Sequence, residues 1–210
     1  MINREVGIAI LARAPVPGQA KTRLIPALGA GGAARLQEWL LLRTVALALD
    51  AGLGPVTLWW DGTPDHPALA ACCARGPLES RRQPDGDLGD RMHAAIAKST
   101  TPGGTLVIGT DCPALTTAHL REAAAQLANH DAVLYPAEDG GYVLIGLRRA
   151  EPELFADMPW GSATVMEQTR QRLRTLGWNW SEPATLWDVD RPDDLERLLA
   201  KWPEARAAIG

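Results

Sequence analysis

Thr105-Leu106-Val107-Ile108-Gly109-Thr110-Asp111-Cys112-Pro113 opens as a short apolar strand and closes on an acid and a proline. A buried-type strand ending in aspartate is how an open α/β sheet sets a carboxylate on its carboxyl edge, where such sheets bind ligands. Pro113 has no N–H to give to a ladder, so the chain must turn there and leave Asp111 on the rim.

Outward from this strand, strand and helix signals alternate along the chain. Val6–Leu11 is a strand, and a long helix is expected over Ala33–Ala51. Val56–Trp60 is a second strand, closed by the turn pair Asp61-Gly62, and a short helix follows over Pro67–Ala74. Pro84-Asp85-Gly86 turns the chain into a helix over Asp87–Ala97. Thr116 is placed to cap a helix running to Asn129. Ala132–Tyr135 and Tyr142–Leu147 are strands joined by Glu138-Asp139-Gly140-Gly141, which suits an antiparallel piece. Ala163–Leu176 is helical and closed by Gly177. Ala184–Trp187 reads as the last strand and Pro192–Ala200 as the last helix. This order predicts one α/β domain over 1–210, a mostly parallel sheet with helices on both faces. The helix at 33–51 is apolar all round, so it is either buried in the core or covered by a partner, a homodimer being one such arrangement.

Composition narrows the function classes. The 210 residues are 46% hydrophobic and 22% charged, enough for an ordinary core. A formal net charge of −4 gives no footprint for nucleic acid, so any anion must be held by a local pocket. Cys72, Cys73 and Cys112 form neither a disulfide framework nor a zinc spacing. A reducing cytoplasm is the expected compartment. No run approaches the roughly 18 apolar residues that span a bilayer, and no leader pattern is expected. His66, His93, His119 and His130 have no ligand-like spacing, and no GxSxG elbow supports covalent catalysis. Eight tryptophans against one phenylalanine are expected to fill the core mainly, with stacking on a base or sugar as a second role.

The chemistry is carried by two kinds of residue. The stretch Ala12–Leu24 (ARAPVPGQAKTRL) follows the first strand and has neither a GxxxxGK[ST] nor a GxGxxG pattern. Pro15 and Pro17 stiffen it, Gly18 permits close backbone approach, and Lys21 and Arg23 supply a point charge and a planar fork for phosphate oxygens. Carboxylates recur just past strand ends: Asp61, Asp111, Glu138 with Asp139, and Asp188 with Asp190. Asp61-Gly62 and Asp85-Gly86 read as turns, and Asp190 also reads as a helix cap before Pro192. Magnesium or manganese uses one or two carboxylates plus substrate phosphates, so Asp111 and one of Asp139, Asp188 or Asp190 would suffice.

Read in order, Ala14-Pro15-Val16-Pro17-Gly18, Lys21-Thr22-Arg23-Leu24, Gly109-Thr110-Asp111-Cys112-Pro113, Glu138-Asp139-Gly140-Gly141-Tyr142, Pro159-Trp160-Gly161 and Asp188-Val189-Asp190-Arg191-Pro192-Asp193-Asp194-Leu195 span nearly the whole chain. With these motifs the sequence resembles the "transferase 1, radical-SAM/selenodomain-associated" family of the nucleotide-diphospho-sugar transferase superfamily. The resemblance implies a glycosyltransferase type A fold, a Rossmann-like sheet binding a nucleotide through its N-terminal half. Ala12, Pro15, Gly18, Lys21, Arg23 and Thr110 are the expected nucleotide contacts. It also implies Mg²⁺ or Mn²⁺ on Asp111, with Asp190 taken as the second ligand.

The implied activity is metal-dependent glycosyl transfer from a nucleotide-diphospho-sugar to a small-molecule acceptor. Lys21 and Arg23 would neutralise the leaving phosphates, and Asp139 or Glu138 would act as base. Trp160-Gly161 is expected on the acceptor side. Lys21-Thr22-Arg23-Leu24 also resembles the Lys-Ser-Arg-Leu of 2-phospholactate guanylyltransferases, and the ending resembles molybdenum-cofactor nucleotidyltransferases. That implies the alternative of joining a nucleoside triphosphate to a phosphorylated acceptor with pyrophosphate release. A nucleotide-binding protein without turnover is the third reading. The Leu-x-x-Gly-x-Gly-x-Arg loop of sugar nucleotidyltransferases is absent, with APVPGQAKTRL in its place. Neither nucleic acid nor a membrane is an expected partner.

Overall fold

The computed structural model of the chain describes residues 5–99 and 101–210. Its strands are β1 (Gly7–Arg13), β2 (Val56–Asp61), β3 (Glu79–Arg82), β4 (Thr105–Ile108), β5 (Ala132–Pro136), β6 (Tyr142–Leu147) and β7 (Trp180–Ser181). They form one sheet in the order β3-β2-β1-β4-β6-β5-β7. β1 pairs in parallel with β2 and β4, and β2 with β3. β6 runs against both neighbours, with Ile108 opposite Leu144 and Tyr135 opposite Leu144, while β7 is parallel to β5. The sheet is therefore mostly parallel with β6 as the reversed strand, as the antiparallel signal at 132–147 suggested.

The pleat sends alternate residues to two cores. Ile8, Ile10, Leu58, Leu106 and Ile108 pack with α1 (Ile25–Ala51), α2 (Pro67–Cys73) and α4 (Thr117–Leu127). Ala9, Trp59, Val107, Leu134 and Ile145 pack on the opposite face with α3 (Leu88–Ala97) and α5 (Val165–Thr175). Leu106 and Ile108 on one face and Val107 on the other are essentially inaccessible. Each buried side chain of this size contributes about 1.5–3 kcal/mol, so the strand that carries Asp111 is held firmly from both sides. A third cluster joins Leu36 and Leu40 of α1 to Trp187 and Val189 and to Leu195 and Leu198 of α6 (Pro192–Lys201). α1 is thus covered by other parts of its own chain, including α7 (Glu204–Ile209), which accounts for its all-round apolarity.

Two local expectations are corrected and two elements are added. α1 begins at Ile25 rather than Ala33, with Pro26 in its first turn and a break at Gly29 (φ 68°, ψ 165°). The stretch 184–187 is not a strand. Leu186 makes a single bridge to Ala137, and Trp187 turns into the third core instead. β3 (Glu-Ser-Arg-Arg) and α7 were not anticipated, because neither carries an apolar period. Among the described residues no helix is long and apolar enough to cross a membrane.

Candidate active site

The loop after β1 folds onto itself before it reaches the site. Ala14 N donates to Asp61 O at 2.8 Å, and both Gln19 N and Ala20 N donate to Val16 O at 3.0 Å. Ala14, Pro15 and Ala20 are buried beneath this turn. Lys21 then adopts a left-handed backbone (φ 48°, ψ 45°), which a lysine does not choose unless the surroundings require it. The result drives its side chain inward. Lys21 Nζ lies 2.8 Å from Asp111 Oδ1, with only 4% of the lysine side chain exposed, and donates to Val189 O at 2.5 Å. Val189 N in turn donates to Asp111 O at 2.8 Å. Arg23, one short helical turn on, pairs with Asp190. The basic loop, the end of β4 and the segment 188–190 therefore meet at one point.

That point is the centre of a cleft of about 630 Å³ along the carboxyl edge of the sheet. Ala12, Lys21, Arg23, Thr110, Asp111, Asp139, Asp188 and Asp190 line it. Thr110 is buried and accepts from Gln37 Nε2 of α1 at 3.0 Å, which fixes the backbone immediately before Asp111. Asp139 Oδ1 accepts from Gly141 N at 2.9 Å, an Asx turn that sets the β5–β6 loop. Burial, with the like charges of Asp139 and Asp111, pushes the Asp188 carboxyl up to about 6. Burial likewise pushes the Cys112 thiol up to about 12, so it is a neutral wall of the cleft rather than a nucleophile.

A second polar cluster, without a local signature in the sequence, lies at the β1–β3 end. Arg91 Nη1 of α3 donates to Asp61 Oδ2 at 2.9 Å and to Gln83 Oε1 at 3.0 Å. Gln83 is buried, and its Nε2 donates to Ala12 O and Trp59 O, each at 2.9 Å. Arg13 Nε approaches the same Asp61 oxygen at 3.7 Å. Asp61, read as a turn residue, is instead the acid that holds two arginines in the cleft. Arg91 Nε is buried and has no partner among the described residues. Leu88 and Met92, on the same helix as Arg91, join Trp160 and Tyr142 in an aromatic and aliphatic wall of the cleft.

Three expected site residues are placed elsewhere. Pro15 and Gly18 do not line the cleft: Pro15 is buried under the loop, and Gly18 (φ 82°) is exposed, with nothing within 4 Å of where a Cβ would stand. Glu138 points away from Asp139 and is clamped by Arg197 Nη1 and Nη2 at 2.7 and 3.0 Å, which holds its carboxyl below the usual range. Asp190 lines the cleft but is engaged by Arg23, and it does not cap α6. That role falls to Asp194, whose Oδ2 accepts from Asp190 N at 3.0 Å and Arg191 N at 2.7 Å. The acid that shares the field of Asp111 is Asp188.

The donor set suits a divalent cation that shares its coordination with phosphate. Among the described residues no three His, Cys, Asp or Glu side chains converge as a complete metal cage. Mg²⁺ and Mn²⁺ do not need one where carboxylates are joined by substrate oxygens and water. Asp111 and Asp188 would supply the carboxylates, and a cation there would offset the burial and the like charges of Asp139 and Asp111 that raise the Asp188 pKa.

The fold that carries this cleft recurs among known proteins. A crystal structure from Desulfovibrio desulfuricans G20, provisionally named a nucleotide-diphospho-sugar transferase, superposes with a TM-score of 0.84 at 27% identity, covering 98% of this chain and 97% of that one. A 4-diphosphocytidyl-2C-methyl-D-erythritol synthase from Anaerococcus prevotii DSM 20548 shares the fold at a TM-score of 0.64 and 9% identity, over 96% of this chain and 99% of its own. Rv0371c from Mycobacterium tuberculosis H37Rv, in complex with manganese, does so at 0.55 and 19%, over 94% and 98%. The fold is thus the α/β sheet common to these proteins. No curated protein matches the chain. Residues 44–162, more than half of the sequence and including Asp111, Asp139 and Trp160, match the model of a family described as "Uncharacterized protein conserved in bacteria (DUF2064)", and the chain belongs to that family.

Proposed function

We propose that this protein is a transferase that uses a nucleotide-activated donor, and that the reaction is glycosyl transfer from a nucleotide-diphospho-sugar to a small acceptor. One observation carries the reading: Lys21 and Asp111, from the basic loop and the central strand, meet at 2.8 Å within the cleft. Arg91, Asp61, Gln83 and Arg13 offer the base and ribose both donors and acceptors at the β1–β3 end. Lys21 and Arg23 stand where the donor phosphates would lie, and they stabilise the charge that grows on the leaving diphosphate. Asp139 is positioned on the other side, in a loop fixed by Gly141, to accept a proton from an acceptor hydroxyl. Asp111 and Asp188 would hold Mg²⁺ or Mn²⁺, which when bound supplies further neutralisation of the phosphates.

The fold shared with the cytidyl-transferring synthase favours a second reading, nucleotidyl transfer with pyrophosphate release. The two separate by ligand. Thermal unfolding is measured with nucleotide sugars or nucleoside triphosphates, each with Mn²⁺ or EDTA, beside Asp111→Ala. A ligand at about 100 times its dissociation constant adds roughly 2.7 kcal/mol. Mn²⁺-dependent stabilisation by a nucleotide sugar that is lost in Asp111→Ala is the expected result. Stabilisation by a triphosphate alone would transfer the proposal to nucleotidyl transfer, and no response to any nucleotide would overturn both.

A further inference from the structure

The cleft is divided by charge. Its basic lining residues are Arg13, Lys21, Arg23 and Arg91, all from β1, its loop and α3. From Val107 to Asp190 the described lining holds four aspartates and no lysine or arginine. Basic residues do exist in that part of the chain, but they are used elsewhere. Arg172 donates to Leu154 O at 3.2 Å, and Arg197 clamps Glu138. The cations that do reach the acids, Lys21 and Arg23, come from the opposite side, beside Asp111 and Asp190, where the proposed donor phosphates would engage them.

The flank at the start of α3 is built around a fixed indole, and Arg91, one turn along that helix from Leu88, is held by Asp61 and Gln83. Trp160 is half-buried, and its Nε1–H donates to Asp87 Oδ2 at 3.1 Å. Asp87 cannot swing away, because its Oδ1 caps α3 by accepting from Asp90 N at 2.9 Å. Tyr142 meets the indole edge-on, with centroids 6.4 Å apart and planes at 88°. Leu88, on the first turn of α3, also lines the cleft and is 45% exposed, the one large hydrophobic side chain so exposed among the described residues. An orienting hydrogen bond, an edge-on ring and an exposed leucine together make a preorganised apolar plate at the mouth of a polar cleft.

We infer that this flank receives the acceptor, and that the acceptor is an uncharged, hydroxyl-bearing ring compound of the glycoside class rather than a phosphate ester. The inference rests on the reading of the cleft as a site of nucleotide-dependent transfer. The C–H face of a pyranose or furanose ring covers apolar area on Trp160, while its hydroxyls exchange water for Asp139 and Ser162, both of which line the cleft. A phosphate dianion there would meet Asp139 and Asp188, while Arg91, the cleft cation on α3, is already held by Asp61 and Gln83. Like charges at short range in a partly dry cleft repel strongly. In the transfer step the acceptor O–H bond breaks and its proton passes to Asp139. The acceptor oxygen bonds to the anomeric carbon of the donor, and that carbon's bond to the diphosphate breaks, its electron pair leaving on the nucleoside diphosphate.

The test uses saturation-transfer NMR on the full-length protein. The probes are methyl glucoside, methyl galactoside, methyl mannoside and methyl riboside, each beside its phosphorylated counterpart. The expected result is saturation transfer to at least one methyl glycoside and not to its phosphate, reduced at least about tenfold in affinity by Trp160→Leu. Ser162→Arg, which adds a cation to the flank without touching the core, is expected to bring in the phosphorylated probe. Binding of the phosphates alone, of no probe, or of glycosides equally well in Trp160→Leu overturns the inference. So does Ser162→Arg leaving the selectivity unchanged. Nucleotide stabilisation of the same wild-type and Trp160→Leu samples is read separately. Its absence beside intact glycoside binding would sink the nucleotide reading and leave the glycoside site standing, whereas its presence without glycoside binding would do the reverse.

Discussion

Lys21 Nζ is 2.8 Å from Asp111 Oδ1 and donates to Val189 O at 2.5 Å, so one ammonium ties together the β1 loop, the end of β4 and the segment before α6. The lysine reaches this position by adopting φ 48°, in the left-handed region. A side chain with a Cβ is held there at a cost of about 1–2 kcal/mol, which the two contacts and the burial offset.

Replacing this residue separates strain from charge. Lys21→Gly and Lys21→Ala both lose the ammonium and are expected to bind the nucleotide donor at least about tenfold more weakly. Glycine accepts the left-handed backbone freely, so Lys21→Gly should be the more stable of the two by about 1 kcal/mol in urea unfolding. Equal midpoints would show that the loop carries no strain at this residue.

Asp188 gives a pH dependence of defined sign. Its folded pKa is raised from 3.8 to about 6 by burial, Asp139 and Asp111. A carboxyl raised in this way contributes its full stability below the unfolded pKa and loses it as pH climbs through the folded one, between pH 4 and about 6. Asp188→Asn should therefore be more stable than the wild type at pH 7.5. With solvent screening allowed for, the gain is on the order of 1 kcal/mol, roughly 2–4 °C at this chain length. The gain should shrink toward pH 4. A difference in Tm that stays constant across that range would contradict the assignment. Stabilisation of the wild type by Mn²⁺ should weaken as pH falls through the same window, because proton and metal compete for one carboxylate.

Gln83 is the keystone of the β1–β3 end. One side chain satisfies Ala12 O, Trp59 O and Arg91 at 2.9–3.0 Å from a buried position. Gln83→Leu leaves two carbonyls and part of a guanidinium without partners, at an expected loss of about 2 kcal/mol or more. The melting temperature should fall by roughly 4–8 °C. A loss under about 1 °C would mean that water replaces the amide without penalty.

The β5–β6 loop is locked by contact rather than by charge. At Gly140 (φ 92°) a Cβ would stand 2.2 Å from Ala163 O, and Gly140 O accepts from Met166 N at 2.9 Å. Gly140→Ala must push the loop from the start of α5, with a loss of about 2–4 kcal/mol, and it moves Asp139 with it. Thermal unfolding and donor turnover should both suffer. A variant with an unchanged Tm would show that the loop yields freely.

The sequence alone determined the alternation of strands and helices, the two-layered cover of the sheet and the position of Asp111 at the end of its central strand. These follow from apolar period, capping residues and Pro/Gly punctuation, which are local properties and legible one window at a time. β3 was not legible, because Glu-Ser-Arg-Arg has no apolar alternation and becomes a strand only by pairing with Thr57–Trp60. The stretch 184–187 looked like a strand yet pairs at one residue, since Trp187 finds a better place in the core beside α1 and α6. Within the site, only tertiary structure decided which acid does what. Glu138 and Asp139 are adjacent and chemically alike, but Arg197 from α6 draws one out of the cleft and leaves the other in it. Asp188 and Asp190 are separated likewise by Arg23, and Asp61 is turned from a loop residue into a cleft residue by Arg91. The partners that settle these roles lie 30 to 167 residues away in the chain. An ion pair of that span leaves no trace in local pattern and exists only once the sheet has closed around it.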